Sequence, residues 1–247
     1  MDAVFKPLDE LFPEPAVQLV EFLGKANRKH KRMEPWREKQ LVDFIVILGV
    51  CSGEFRNAYG RKSMGTFAWA ARSILELSVW IDYCNLSNEH AKRFYHDELR
   101  DAYQLTKALE SFALVQGQRS TVYKETMDAL VLHAQKLGMS DPYDDFKRVS
   151  DASAEVGRKD EYAAMNKMLS KFAHPTAYAV STIIRNDSGD TVLYDCILHD
   201  GIRLVRSSYQ KIKDVTLSRF PEGISAVAES AVEGRKNDTG RVSDRVF

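Results

Sequence analysis

Apolar residues recur every three or four positions along most of the chain, which is the spacing of amphipathic helices. Prolines, glycines and capping residues interrupt the pattern and divide it into predicted helices over 13–32, 36–59, 63–84, 88–116, 119–137 and from near 160 into 169–180. A short helix and loop are predicted for 141–160. The pattern predicts an all-α fold, a single bundle of about seven helices with a central buried helix near 64–84.

Specific residues mark the predicted helix ends. Ser87 precedes a helix with acidic residues in its first turns, so it is predicted to act as the N-cap. Gly117 and Gly138 follow helical stretches and are predicted to end them, because glycine readily adopts the left-handed conformation found after a helix.

The region after residue 190 leaves two interpretations open. Apolar residues from Val192 to Val215 keep helical spacing and predict another helix. Gly201 and the β-branched content favour instead a hairpin around 190–205. We predict one helical domain over 1–220, followed by a weakly structured or disordered tail over 221–247.

Composition indicates a soluble globular protein. Hydrophobic residues make up 44% of the chain, charged residues 28%, and the net charge is zero. The charge balance alone therefore does not call for nucleic acid or an anionic membrane. No signal peptide or membrane-spanning run is recognisable, so a cytoplasmic location is predicted. Cys51, Cys84 and Cys196 lack paired spacing and are predicted to be reduced thiols in the core.

The helix over 67–84 is apolar around nearly its whole circumference yet contains Arg72 and Glu76. Residues at i and i+4 lie on one helix face, and Trp69 and Trp80 flank that face. Buried charges are costly unless they are paired. One interpretation is a structural ion pair that fixes helix packing, and the other is a polar pocket wall lined with aromatic rings.

The segment "LSKFAHPTAYAV" (169–180) combines polar and apolar residues at a helix break. Ser170 and His174 share a face with Lys171 beside them, and Pro175 disfavours helix at His174. Near-neutral titration suits histidine to general acid–base chemistry. His174 alternatively caps the helix by donating to freed carbonyls. We expect it to end its helix against the Arg72–Glu76 face.

Two segments, "ARSILELSVWIDYC" (71–84) and "YAAMNKMLSKFAHPTA" (162–177), resemble the bacterial DUF5677 family. That family shows an Arg-x-x-x-Glu motif in a central helix and then a Tyr…Ser-x-x-x-His segment. The resemblance spans about residues 40–215. It implies an all-helical fold in which the matching polar residues belong together, without an established activity. The matching positions are Arg72, Glu76, Tyr162, Ser170 and His174.

A looser similarity connects the chain to HEPN helical domains, whose ribonuclease members carry Arg-Asn-x-x-x-His. His174 matches the histidine, but Leu169 and Ser170 stand where the arginine and asparagine belong. The similarity implies that an arginine–histidine pair stabilises the scissile phosphate and moves the proton. Lys171, or Arg72 from another helix, would have to replace the arginine.

Other motifs are absent from the sequence. The six histidines form no HExxH motif and no cluster with cysteine, which argues against a metal site. No glycine-rich nucleotide loop occurs, and no cofactor is predicted. His90 and His96 are predicted to be solvated.

Two functions follow. The first is a binding or regulatory helical bundle whose partner is an unknown small ligand, RNA or a protein, with no membrane and a possible homo-oligomer. The second is a HEPN-like ribonuclease, toxin or phage-defence effector, in which His174 is the acid or base. The candidate catalytic residues are His174, Arg72 and Glu76, and the candidate binding residues are Ser170, Lys171, Tyr162, Trp69 and Trp80.

Overall fold

The computed structural model describes residues 2–12, 16–21, 35–118, 120–139, 146–174 and 190–219, and within these ranges it contains helices and no strand. No helix of the described part is both long and apolar enough to cross a membrane. Besides a short helical segment over 16–21, the helices are α1 (Asp2–Asp9), α2 (Pro35–Gly60), α3 (Met64–Leu86), α4 (Asn88–Val115), α5 (Val122–Lys136), α6 (Val149–Glu155), α7 (Lys159–Ala173) and α8 (Asp190–Arg219).

The all-α prediction is confirmed, and α8 decides for a helix over the hairpin that was the alternative at 190–205. A single bundle of about seven helices is only a rough match. The first compact unit comprises the described parts of Met1–Ile81 and Ala164–Phe247, and the second comprises those of Asp82–Ala163. The predicted tail over 221–247 lies outside the described residues.

An aromatic cluster forms the core of the first unit, where α8 packs against α1 and α2. Phe55 and Phe67 are fully buried and stack with ring centroids 4.5 Å apart. The other face of Phe67 stacks on Tyr194 at 5.4 Å, and Phe5 meets Phe55 edge-on at 6.4 Å. Burial of such rings dominates core energetics, and the stacked and edge-on arrangements add to it. This cluster therefore ties α1, α2, α3 and α8 together.

Gly201 permits the close approach of α8 to α2. A Cβ atom built on Gly201 would lie 2.3 Å from Cζ of Phe55, well inside the van der Waals distance. Glycine inside a helix costs up to about 1 kcal/mol relative to alanine. The residue that weakened the sequence-based prediction of a helix is thus the residue that lets this helix pack.

Helix α3 is buried along most of its length, but not all round as predicted. Phe67, Ile74 and Val79 are fully buried, whereas Trp69 is 53% exposed. Arg72 and Glu76 lie on the same side of the helix as Trp69 and are half-buried. One stripe of α3 in the first unit therefore faces solvent, and both charges lie in that stripe.

The residue with left-handed backbone in the turn between α2 and α3 is Lys62, two positions after Gly60, which would be the expected residue for this conformation. Gly60 is still helical, and Lys62 has a φ of 52°. The Lys62 amide bonds to the Tyr59 carbonyl, and the Ser63 amide bonds to the Ala58 carbonyl, each at 3.0 Å. This is the Schellman pattern, with lysine at the position that usually belongs to glycine.

In the second unit, α4 and α5 form an antiparallel hairpin, and the residues predicted to cap or end these helices take those roles. Ser87 Oγ accepts the His90 amide at 3.3 Å, which confirms the predicted N-cap of α4. Gly117 and Gly138 have φ values of 72° and 70° directly after α4 and α5. Glycine occurs at these turns because residues with a Cβ atom are strained in that conformation.

Two predictions about individual side chains are wrong. Cys196 is exposed rather than in the core, although Cys51 and Cys84 are buried and none of the three forms a disulfide. His96 is buried, not solvated, and His90 is half-buried, with Nδ1 2.7 Å from Ser87 Oγ. Apolar neighbours in the sequence do not show that a residue is buried, because burial depends on which face of the helix packs against other helices.

Candidate functional site

The site begins with the ion pair on α3. Arg72 Nε donates to Glu76 Oε1 at 2.9 Å across one helical turn. The two side chains are 29% and 31% exposed, so water still screens the charges. Pairs of this kind contribute about 0.3–0.5 kcal/mol in exposed helices. The contact therefore adds little to the stability of α3.

Helix α7 brings the histidine to this pair. It is anchored by Leu169 and Phe172, which are buried. Its end approaches the start of α3 closely, because a Cβ atom on Gly65 would lie 3.4 Å from the Phe172 carbonyl oxygen. The helix ends at Ala173, so His174 is the first residue beyond it.

His174 contacts the free end of the arginine. Nη1 of Arg72 lies 3.1 Å from Nε2 of His174, although the two residues are 102 positions apart in sequence. A guanidinium group has donors and no acceptor, so Nε2 must accept this hydrogen bond. This hydrogen bond therefore requires the tautomer that carries its proton on Nδ1. His174 itself is exposed, so this ring is accessible to solvent.

The arginine keeps donor capacity after both contacts. Of the five N–H groups of a guanidinium, the contacts with Glu76 and His174 use one on Nε and one on Nη1. No other hydrogen bond of the Arg72 side chain occurs among the described residues. Its other donors therefore have no partner among the residues that the structure describes.

The other predicted site residues lie on α3 and α7, and no hydrogen bond among the described residues joins them to Arg72, Glu76 or His174. Trp69 is one turn before Arg72 on α3 and is more than half exposed, whereas Trp80 is half-buried. On α7, the half-buried Ser170 donates from Oγ to Oδ1 of Asn166 at 3.4 Å, and Lys171 is exposed. Tyr162 is buried in the second unit.

Hydrogen bonds thus join Arg72, Glu76 and His174, and none described here adds the predicted binding residues to that group. Gly65 and Asn166 were missed by the sequence reasoning. Their positions in the sequence do not show that they lie near the site, because that depends on which helices pack together. Pro175 and the rest of the segment to 180 lie outside the described residues.

Within the described ranges, no group of three or more histidine, cysteine, aspartate or glutamate side chains has the arrangement of a metal site. The fold and the polar junction describe an all-helical protein with an arginine–histidine pair on its first unit. Comparisons of the chain with protein families, curated proteins and solved structures find no match.

Proposed function

We propose that the first unit binds a phosphate-bearing ligand at the junction formed by Arg72, Glu76 and His174, and that this ligand is single-stranded RNA. The Arg72–His174 contact is the observation that carries the proposal, because it orients a guanidinium group beside an exposed imidazole. Guanidinium groups bind phosphate through paired hydrogen bonds and retain their charge at all relevant pH values.

Glu76 has a positioning role in this proposal. Its carboxylate holds Nε of Arg72, which restricts the rotation of a long side chain before any ligand arrives. An oriented guanidinium group loses less conformational entropy on binding than a mobile one. The carboxylate also offsets part of the positive charge, so binding through this site is modest in strength.

Trp69 supports RNA over a simple anion. A tryptophan that is 53% exposed, one turn from Arg72, presents a flat apolar surface beside a phosphate-binding group. Stacking of a base on an aromatic ring contributes about 1–3 kcal/mol per base and tolerates any sequence. Lys171, which is exposed on α7, adds a second positive charge. The resemblance to HEPN domains points to the same ligand class.

Cleavage of RNA by His174 is the second candidate function. The specific observation in its favour is again the 3.1 Å contact, because Arg72 from α3 supplies an arginine next to His174 although Leu169 occupies the arginine position of the HEPN motif. For His174 to accept a proton from a ribose hydroxyl group, its Nε2 must exchange the contact with Arg72 for that hydroxyl group, and Arg72 would then stabilise the charge on the phosphate. The membership in the DUF5677 family and the toxin or defence role remain proposals as well.

The test measures the binding of fluorescently labelled single-stranded RNA by anisotropy at low salt. Arg72→Gln and Trp69→Ala are expected to weaken binding about 10-fold, from the loss of a charge-assisted contact and of a stacking surface. Arg203→Gln is the matched control, since Arg203 also pairs with a carboxylate in the same unit, at 3.3 Å from Asp200. RNA affinity that is unchanged in both Arg72→Gln and Trp69→Ala refutes the proposal.

The same samples decide between binding and cleavage. If the second function holds, intact RNA is shortened by the wild type, and His174→Gln abolishes shortening while it retains most of the affinity. If the wild type binds RNA and leaves it intact, the junction is a binding site and cleavage is excluded under those conditions. Thermal unfolding of each variant verifies that the fold is retained.

A further inference from the structure

A cleft of about 430 Å³ lies within the second unit, in the size range of small-molecule sites. It is distinct from the arginine–histidine junction, which belongs to the first unit. Three of its lining side chains are basic and one is acidic. The lining residues are Tyr83, Arg93, Phe146, Lys147, Arg148 and Asp151.

A buried carboxylate fixes the basic side of this cleft. Asp97 accepts a hydrogen bond from Nη1 of Arg100 at 2.9 Å and lies 3.2 Å from Nε of Arg93. Its second oxygen accepts the backbone amide of Lys147 at 3.1 Å. Asp97 therefore orients Arg93 on α4 and also anchors the segment 146–148, which lines the same cleft.

An aromatic ring and a lysine lie next to each other in the lining of the cleft. Nζ of Lys147 lies 5.5 Å from the ring centroid of Tyr83 and also binds the Glu155 carboxylate. Burial, followed by the nearby charges of Glu155 and Asp97, raises the pKa of Tyr83 to about 12. The Tyr83 side chain therefore stays uncharged near neutral pH.

The rim combines one cation, one apolar ring and one carboxylate. Arg148 is exposed, and its side chain forms no hydrogen bond or ion pair with any described residue. Phe146 is 42% exposed and gives an apolar surface beside it. Asp151 is exposed at the same rim and opposes an incoming anion.

We propose that this cleft binds a small molecule that carries a phosphate monoester. Arg93 and Arg148 hold the phosphate group, and Tyr83 lies beside them in the lining of the cleft. The Phe146 ring packs against the apolar or planar part of the same molecule. The guanidinium fork matches the spacing of phosphate oxygens, which is why two arginines favour phosphate over a single-point anion.

Isothermal titration of the full chain with adenosine monophosphate, inorganic phosphate and adenosine tests this proposal. The monophosphate is expected to bind at one site, phosphate more weakly, and adenosine without measurable affinity. Arg148→Gln is expected to weaken monophosphate binding about 3- to 10-fold, because a charge-assisted contact is lost. Asp151→Asn is expected to tighten it about 2- to 5-fold, because a repulsive charge is removed.

Arg148→Gln and Asp151→Asn are expected to change the affinity in opposite directions. This separates a ligand site from a structural role, since both side chains are exposed and neither holds the fold together. Lys124→Gln on α5 is the control, as it removes one exposed positive charge from the same unit without touching the cleft. Equal affinity for adenosine and its monophosphate overturns the proposal, as does the absence of any binding. So does a change of affinity in the same direction for Arg148→Gln and Asp151→Asn.

Arg72→Gln distinguishes this proposal from the RNA site of the first unit. Monophosphate affinity is expected to be unchanged in this variant while RNA binding falls. If monophosphate binding falls in Arg72→Gln and is unaffected in Arg148→Gln, phosphate binds at the arginine–histidine junction. That outcome overturns the cleft proposal and leaves the proposed function in place.

Discussion

Arg72 donates a hydrogen bond from Nη1 to Nε2 of His174 at 3.1 Å, while Nε of the same guanidinium group binds Glu76. One side chain on α3 therefore orients both an acidic partner on its own helix and the residue that follows α7. The arrangement holds the imidazole in one position and one tautomer and leaves the ring exposed to solvent. A ring held in this way presents Nδ1–H, and not a free nitrogen lone pair, to any further partner.

The tautomer of His174 is the first prediction. In the wild type, nitrogen NMR of histidine-labelled protein is expected to show Nε2 of His174 unprotonated and Nδ1 protonated at pH 8. Arg72→Gln removes the charged donor, so the population with a proton on Nε2 is expected to rise. Arg203→Gln should leave the spectrum of His174 unchanged. A predominantly Nε2-protonated ring in the wild type would contradict the observed contact.

Gly201→Ala tests the contact between α8 and α2. The added Cβ atom would lie 2.3 Å from Cζ of Phe55, so either the helix or the ring must move. Overpacking of this kind lowers the free energy of unfolding by about 1–3 kcal/mol. Gly53→Ala is the control, because an added Cβ there meets nothing within 4 Å. It is expected to raise the free energy of unfolding by about 0.5–1 kcal/mol through helix propensity.

Phe55→Leu in the Gly201→Ala background completes this test. A smaller side chain relieves the clash, so the double variant should be more stable than the sum of the two single effects. Urea unfolding followed by circular dichroism provides the free energies. Equal effects of alanine at Gly201 and Gly53 would show that the close approach of α8 is not present in solution.

Much of the helical framework was predictable because caps and turns are local. Ser87, Gly117 and Gly138 act through atoms a few residues away, and the structure has each of them in its predicted role. Lys62 illustrates the limit of this reasoning. Its left-handed conformation follows a helix that includes Gly60, and the sequence alone favours glycine for that conformation.

Less of the site was predictable because it depends on contacts between distant helices. The Arg72–Glu76 pair follows from i, i+4 spacing, and its geometry agrees with that expectation. The contact between Arg72 and His174 joins residues 102 positions apart. It was expected because both residues match motifs of one family that the chain resembles, and their spacing in the sequence gave no indication of it. The cleft beside Asp97 had no sequence signal, since it depends on how α4 meets the segment before α6.

Thiol reactivity tests the burial of the three cysteines. Cys196 is exposed, so it is expected to react with a disulfide reagent within the mixing time at pH 8. Cys51 and Cys84 are buried, and burial together with the charge of Glu54 raises the pKa of the Cys51 thiol. Both should therefore react slowly until urea unfolds the protein. Cys196→Ser should remove the fast phase and Cys51→Ser should keep it, and a fast phase that survives Cys196→Ser would contradict the burial.

The last prediction concerns the pH dependence of stability. Burial lowers the pKa of His96 below its usual 6.5, and the positive charges of Lys92 and Arg100 lower it further, while Asp97 opposes this. The unfolded chain consequently binds more protons at this residue than the folded protein does between the two pKa values. Stability therefore rises with pH across that window, and it falls as the pH drops through 6.5.

His96→Gln is expected to reduce the difference in the free energy of unfolding between pH 8 and pH 5, measured by urea titration at both values. His133→Gln on α5 is the matched control, because His133 is exposed in the same unit. The wild-type protein and His133→Gln should lose stability in parallel on acidification, and His96→Gln should lose less. If burial keeps His96 neutral in the folded protein, this order is expected. If His96 is solvated, all three proteins should respond to pH alike.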